Sequence, residues 1–141
     1  MKRITSILLA TFLLVLNAAN AQETKLNVLN SGQVAKLDLT GKWMGKRHQY
    51  SWDKKTYTET FEYEFNLKQE GEIVTGTSTI ISKNGDYADM ELEGVIVGNK
   101  LHFHEKAVKG AIRPDGKVWC FKSGELYFVK DGENIRLAGS T

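Results

Sequence analysis

Glu105 is the residue whose chemistry is least expected at its place in the sequence. In a strand over 100–106, alternation puts its side chain on the same face as Leu101 and Phe103. A carboxylate on an apolar face is costly unless it is paired or neutralised. Two interpretations follow. Glu105 meets the polar group of a ligand inside the domain, near Tyr63 and Ser78, or it lies in solvent at the end of its strand.

Two histidines stand on the opposite face of the same strand. His102 and His104 are two residues apart, and Glu93 is predicted to lie across from His104. Together with His48 they could ligate zinc, because imidazole and carboxylate are ligands of that ion. The same face also carries Lys106, which is typical of a solvated surface. We therefore predict a charged outer face and no metal site.

Aromatic side chains on the apolar face are the candidates for ligand contact. The predicted ligand-binding set is Phe61, Tyr63, Phe65, Ser78, Phe103 and Glu105. The interior of a small eight-stranded barrel is either filled by such side chains or left open for one ligand. Small residues on the same face, including Gly76 and Gly94, favour a cavity.

No catalytic constellation accompanies these residues. The sequence has no Gly-x-Ser-x-Gly, no phosphate-binding loop, and no Ser-His-Asp set that a turn motif supports. Its glycine-rich turns are those of hairpins. We therefore predict no catalytic residues, no cofactor and a role other than catalysis.

The N-terminal residues are predicted to be an export signal. Lys2 and Arg3 precede an apolar run over 4–16, and residues 17–21 end in the small-x-small pattern that signal peptidase recognises. The run is shorter than the roughly 20 residues that a membrane-spanning helix needs. We expect residues 1–21 to be removed, no membrane span to remain, and the mature protein to be periplasmic or secreted.

Removal of that segment changes the charge of the chain. The full sequence has 19 Lys and Arg against 17 Asp and Glu, and the segment holds two of the basic residues, which leaves 17 of each. A neutral chain without a basic block lacks the attraction on which non-specific nucleic-acid binding depends. Nucleic acid is therefore not an expected partner.

Cys120 is the only cysteine, so no intramolecular disulfide can form. It lies in the apolar run over 118–121, which predicts a buried, inert thiol. The stability of the domain must then come from its core.

The chain beyond the signal is predicted to be all-β. Residues 22–36 are a polar leader expected to pack across one end of the domain, and from residue 37 short alternating runs are separated by Gly, Asn and Asp. About eight strands are predicted, over 37–49, 57–69, 72–82, 87–97, 100–106, 117–122, 125–130 and 133–139. This meander favours an antiparallel up-and-down barrel over 37–141 in which the first and last strands pair, because closure removes exposed edges.

Three hairpins determine the predicted register. Their two-residue turns are Glu70-Gly71, Gly98-Asn99 and Asp131-Gly132. The first hairpin is predicted to pair Leu67 with Val74, Phe65 with Gly76, Tyr63 with Ser78 and Phe61 with Ile80. The second is predicted to pair Ile96 with Leu101, Gly94 with Phe103, Leu92 with Glu105 and Glu91 with Lys106. In both, one face is apolar and the other polar.

At Gly41-Lys42-Trp43 the chain resembles the calycin superfamily of lipocalins, fatty-acid-binding proteins and avidins. Its V-T-G-T-S over 74–78 and L-x-G-x-x-x-G-N-x-L-x-F over 92–103 are similar to small secreted lipocalin-like domains of bacteria of the Bacteroidetes type. The resemblance implies a meander barrel in which Gly41 and Trp43 are structural. It also implies that a cation from the last strand packs over Trp43, and Arg136 is the candidate. The tryptophans with which avidins enclose biotin have no counterparts here.

These observations predict an exported lipocalin-like barrel that binds a small, largely apolar molecule. Burial of apolar surface would drive binding, with Glu105, Tyr63 or Ser78 orienting a polar end. The alternative is a protein-binding module, such as an inhibitor of an exported hydrolase. It would act through the loops around Trp52, Asn84-Gly85 and 107–116, and its interior would be filled.

Overall fold

Eight strands and one turn of helix make up the part of the chain that the computed structural model describes, which is residues 27–51, 53–112 and 118–141. The predicted export signal, Trp52 and residues 113–117 lie outside these ranges. The elements are β1 (Asn27–Val28), α1 (Ser31–Val34), β2 (Gly41–Tyr50), β3 (Tyr57–Glu70), β4 (Ile73–Ile81), β5 (Tyr87–Val97), β6 (Lys100–Ile112), β7 (Ser123–Asp131) and β8 (Asn134–Ser140). The predicted all-β class is confirmed.

The strands form one antiparallel up-and-down sheet. From β2 to β7 each strand pairs with the next in sequence. One edge of β7 pairs with β8, and its other edge pairs first with β6 and then, further along, with β1. Strands β2 and β8 stand at the two ends of this sheet. Within the described residues no ladder joins them, so the predicted pairing of the first and last strands is not present and the sheet is open.

The hairpin turns depend on where glycine supplies a positive φ. In all three hairpins a glycine comes first in the two-residue loop, and Gly71, Gly98 and Gly132 have φ angles of 64°, 62° and 62°. Type II′ turns take glycine at this position. The predicted loops of the first and third hairpins place glycine second, and those two predictions are wrong for this reason.

The error displaces the predicted pairs without exchanging the faces. The first hairpin pairs Leu67 with Gly76, Phe65 with Ser78 and Tyr63 with Ile80, two residues from the predicted register. Side chains alternate with a period of two, so a shift of two residues leaves each one on its predicted face. The apolar face of β3 is therefore the inner face, as expected.

The second hairpin is confirmed from its Gly98-Asn99 turn to the pair formed by Leu92 and Glu105. Beyond that pair the register shifts at a bulge, and Glu91 pairs with Ala107 instead of the predicted Lys106. The inward direction of Glu105 is set before the bulge and is unaffected by it.

No strand is found over the described part of the predicted strand 117–122. Instead β6 continues to Ile112, and residues 118–122 run beside it as irregular backbone. Their apolar pattern is misleading, because Val118 is 72 % exposed and Phe121 is 54 % exposed. Cys120 is exposed as well, so the prediction of a buried thiol is wrong.

The core lies on the inner face of the sheet and extends into the predicted leader. The larger of two apolar clusters contains Leu29 and Val34 together with residues of β3 to β7. Helix α1 begins with a capping box, in which the Asn30 side chain accepts a hydrogen bond from the Gln33 amide and the Gln33 side chain accepts one from the Asn30 amide. The chain before β2 thus covers one end of the sheet.

The turn geometry predicts a difference between two glycine substitutions. Gly71→Ala meets no atom within 4 Å but requires a positive φ, and we expect it to lower the free energy of unfolding by about 1–2 kcal/mol. Gly45→Ala in β2 also meets nothing within 4 Å and has no positive φ, so it should be neutral or slightly stabilising. Urea unfolding of both variants measures the difference, and equal losses of stability would contradict the assigned turn.

Candidate functional site

Glu105 lies in the interior of the domain. The residue is 4 % exposed, and it shares the inner face of β6 with Leu101 and Phe103. Of the two interpretations of this carboxylate, the one that places it in solvent at the strand end is wrong.

The carboxylate of Glu105 is held by the chain's own donors. The Tyr63 hydroxyl and the Ser78 hydroxyl each donate a hydrogen bond of 2.6 Å to Oε1. The backbone amide of Lys122 donates one of 2.8 Å to Oε2, and the Lys122 ammonium lies 3.6 Å from the same oxygen. A buried charge with this many partners is compensated. The set of Glu105, Tyr63, Ser78 and Lys122 is called the carboxylate network below.

Burial changes the proton affinity of two members of this network. Burial, followed by the hydrogen bond to Glu105, raises the pKa of the Tyr63 phenol well above its usual value. Burial lowers the pKa of the Lys122 ammonium, and the neighbouring Glu105 carboxylate offsets part of that effect. Tyr63 therefore remains a protonated donor throughout the physiological pH range.

A cleft opens between the two end strands of the sheet. Its volume is about 1190 Å³, and residues of β2 and β8 form its two sides. Trp43, Phe65, Leu126, Ile135 and Leu137 give it an apolar inner wall, and these side chains belong to or pack against the larger core cluster. The cleft is therefore an extension of the interior that remains accessible from outside.

Arg47 is the functional candidate that the sequence reasoning missed. It pairs across the ladder with the buried Phe61, so its side chain points to the inner face of β2, where it lines the cleft. Its Nε donates a hydrogen bond of 2.9 Å to Oγ1 of Thr141, at the far side of the opening. The sequence could have indicated this position, because alternation along the predicted first strand puts Arg47 on the same face as Trp43.

The six predicted ligand-binding residues occupy three different places. Tyr63 and Phe65 line the cleft, and Tyr63 also belongs to the carboxylate network with the buried Ser78 and Glu105. The remaining two are core residues. The Phe103 ring packs edge-on against Phe65 at 5.3 Å, and the Phe61 ring packs against Trp119 at 6.5 Å.

Arg136 does not pack over Trp43, and that expectation is wrong. Its neighbours in β8, Ile135 and Leu137, point inward, so Arg136 points out, where its side chain is 71 % exposed and pairs with Asp131. The indole of Trp43 is positioned differently, since its Nε1 donates a hydrogen bond of 2.9 Å to the Leu39 carbonyl. Trp43 also packs against the larger core cluster.

The histidines of β6 face two separate carboxylates on the outer surface. Nδ1 of His102 lies 3.5 Å from Glu125, and Nε2 of His104 lies 3.7 Å from Glu93. Each of these carboxylates is also bound by a lysine. In the part of the chain that the structure covers, no three side chains of the metal-ligating types come together.

Comparison with protein-family models, with curated proteins and with solved structures found no match to this chain. The resemblance to the calycins therefore stays a prediction that rests on the motifs quoted above. Among the described residues there is no helix with the length and apolar character needed to cross a membrane.

Replacing the buried carboxylate by its amide tests the network. Glu105→Gln keeps the shape but loses the charge and turns an NH2 group toward existing donors, so we expect a loss of about 2–3 kcal/mol in the free energy of unfolding. Glu62→Gln, on the exposed face of β3, is the matched control and should change stability by less than about 0.5 kcal/mol. Urea denaturation measures both, and similar values for the two variants would show that the network contributes nothing specific.

The raised pKa of Tyr63 predicts a loss of stability at alkaline pH. The phenol ionises more easily in the unfolded chain, so above about pH 10 the unfolded state loses its proton first and stability falls by up to ~1.4 kcal/mol per pH unit. Tyr63→Phe lacks this contribution. The difference in unfolding free energy between wild type and Tyr63→Phe should therefore shrink from pH 9 to pH 11. A difference that stays constant would contradict the assigned environment of the phenol.

Proposed function

We propose that this protein is an exported, lipocalin-like β-domain that binds a small, largely apolar molecule in the cleft between β2 and β8. The observation that carries the proposal is the open seam of the sheet, where an apolar wall continuous with the core faces a volume of about 1190 Å³. In this proposal the domain is a barrel left open along one side. Export rests on the predicted signal over residues 1–21.

Apolar burial would supply most of the affinity. Each buried methylene contributes roughly 0.8 kcal/mol, and small-molecule sites are typically concave, mainly apolar and largely formed in advance. Trp43, Ile135 and Leu137 are only partly buried in the domain itself and pack at the margin of its core. A ligand that covers them would remove further apolar surface from water.

The carboxylate network has a supporting role in this proposal. Glu105 and Ser78 lie behind the wall of the cleft, and their hydrogen bonds hold the Tyr63 hydroxyl in one orientation. The Tyr63 hydroxyl donates its hydrogen bond to Glu105, so toward a ligand its oxygen can act as an acceptor. A hydroxyl or amide N–H on the ligand could donate a hydrogen bond to this oxygen.

Protein binding is the second candidate, and one group of exposed side chains favours it. Val108, Ile112, Val118 and Phe121 are apolar and 48 to 72 % exposed near one end of β6. They include part of the predicted loop 107–116, whose residues 113–116 lie outside the described ranges. This surface is separate from the cleft, so the two candidate functions can be tested independently.

Filling the cleft is the sharpest test of ligand binding. A Cβ added at Gly45 would meet nothing within 4 Å, and a larger side chain there would extend from the inner face of β2 into the cleft. We expect wild type to bind the neutral apolar dye Nile red with a fluorescence increase, and Gly45→Phe to weaken that binding at least about tenfold while remaining folded. Asn66→Phe adds a ring to the exposed face of β3, at a residue outside the cleft lining, and should bind the dye as wild type does.

Two results would contradict the proposal. One is the absence of Nile red binding to wild type, which would leave the protein-binding candidate in place. The other is equal binding by Gly45→Phe and Asn66→Phe, which would put the dye somewhere other than the cleft.

A further inference from the structure

Arg47 points into the cleft from the inner face of β2. Two other basic residues border the cleft without pointing into it: Arg136 points out and pairs with Asp131, and Lys46 alternates with Arg47 and so faces outward. A cation on the wall of an apolar cleft raises the concentration of oppositely charged molecules near it.

Arg47 differs from the other basic residues in where it points and in what it binds. Its two side-chain hydrogen bonds go to neutral oxygens, at 2.9 Å to Thr141 and at 3.3 Å to Gln49. The ion pairs found in the described residues include none made by Arg47. By contrast, Lys42 is paired with Glu64 on the outer face, and Arg136 is paired with Asp131.

The charges on the inner face of the sheet sum to a net positive charge when Arg47 is included. Glu105 is the one buried carboxylate of the described residues, and Lys122 already lies beside it with two hydroxyls and an amide. That leaves the guanidinium of Arg47 as an extra positive charge, half-buried at the wall of an apolar cleft. A guanidinium has five N–H donors in a planar fork, so donors remain for a carboxylate, sulfate or phosphate.

From these observations we infer that the molecule bound in the cleft is an amphiphile with an anionic end group, and that Arg47 binds this group while Trp43, Phe65 and Leu137 contact the apolar body. The inference rests on the proposed function and names the class of its ligand. The chemistry that Arg47 recognises is the planar or tetrahedral oxyanion, whichever molecule carries it.

Decanoate and decanol form a matched pair of probes, because they share an alkyl chain and differ in the charge of the end group. Isothermal titration calorimetry at neutral pH and low salt should show that wild type binds decanoate at least about tenfold more tightly than decanol, as expected for a charge-assisted hydrogen bond. Alkyl sulfate of the same chain length tests whether the site accepts a tetrahedral anion.

Three variants separate the role of Arg47 from general charge and from folding. Arg47→Gln should lose the preference for decanoate and keep the affinity for decanol. Arg47→Lys keeps the charge without the planar fork and should retain part of the preference. Lys42→Gln removes a charge from the outer face of the same strand and should leave both affinities unchanged. Urea unfolding establishes that each variant is folded.

The possible results distinguish the inference from the proposed function. Equal affinity of wild type for decanoate and decanol, or a preference that persists in Arg47→Gln, overturns the inference while Nile red binding still supports the cleft. If wild type binds none of Nile red, decanoate and decanol, both the inference and the proposed function are overturned. If Arg47→Gln does not fold, the comparison of the two probes on wild type and on Arg47→Lys decides.

Discussion

The buried carboxylate of Glu105 is the interaction on which the shape of this domain depends. It accepts hydrogen bonds from Tyr63 on β3 and Ser78 on β4, although Glu105 itself is on β6. In a flat sheet β3 and β6 would lie about 14 Å apart, too far for these side chains to meet. The contact therefore requires the sheet to coil around its inner face. Removing either side of it would leave buried polar groups without partners, which gives the coiled arrangement an energetic preference.

The same network explains why an irregular segment stays against the sheet. Residues 118–122 have exposed apolar side chains and belong to no strand, yet the Lys122 amide donates to Glu105 and the Lys122 carbonyl accepts from the Glu105 amide. The side chain and the backbone of Glu105 thus both bind this segment. Tyr63 connects the network to the cleft, so the position of the cleft wall depends on Glu105, which does not itself line the cleft.

Much of this arrangement could be predicted from the sequence because alternation survives errors in register. The inner faces of β3 and β6 follow from alternation alone, and the proximity of Glu105 to Tyr63 and Ser78 follows once the sheet is also expected to curve into a barrel. The turns could not be placed from the dipeptides, since a glycine in either loop position fits an accepted hairpin turn. Lys122 gave no local signal at all, because its contact with Glu105 joins an irregular segment to a strand 17 residues away. The open seam likewise depends on how far the whole sheet coils, which no short motif encodes.

Arg47 connects the openness of the seam to its chemistry. Two free edges, those of β2 and β8, face each other in the described sheet, and such edges tend to pair with each other or with another chain. Arg47 points inward from the β2 edge, and an inward-pointing charge is one of the features that discourage edge-to-edge association. The hydrogen bond that crosses the gap is made by side chains, from Arg47 to Thr141, so the backbones are further apart there than in a ladder of paired strands. The charge of Arg47 is also the one that the anionic end of the proposed ligand would neutralise, so in this proposal one residue bears on both the free edge of β2 and the kind of molecule bound.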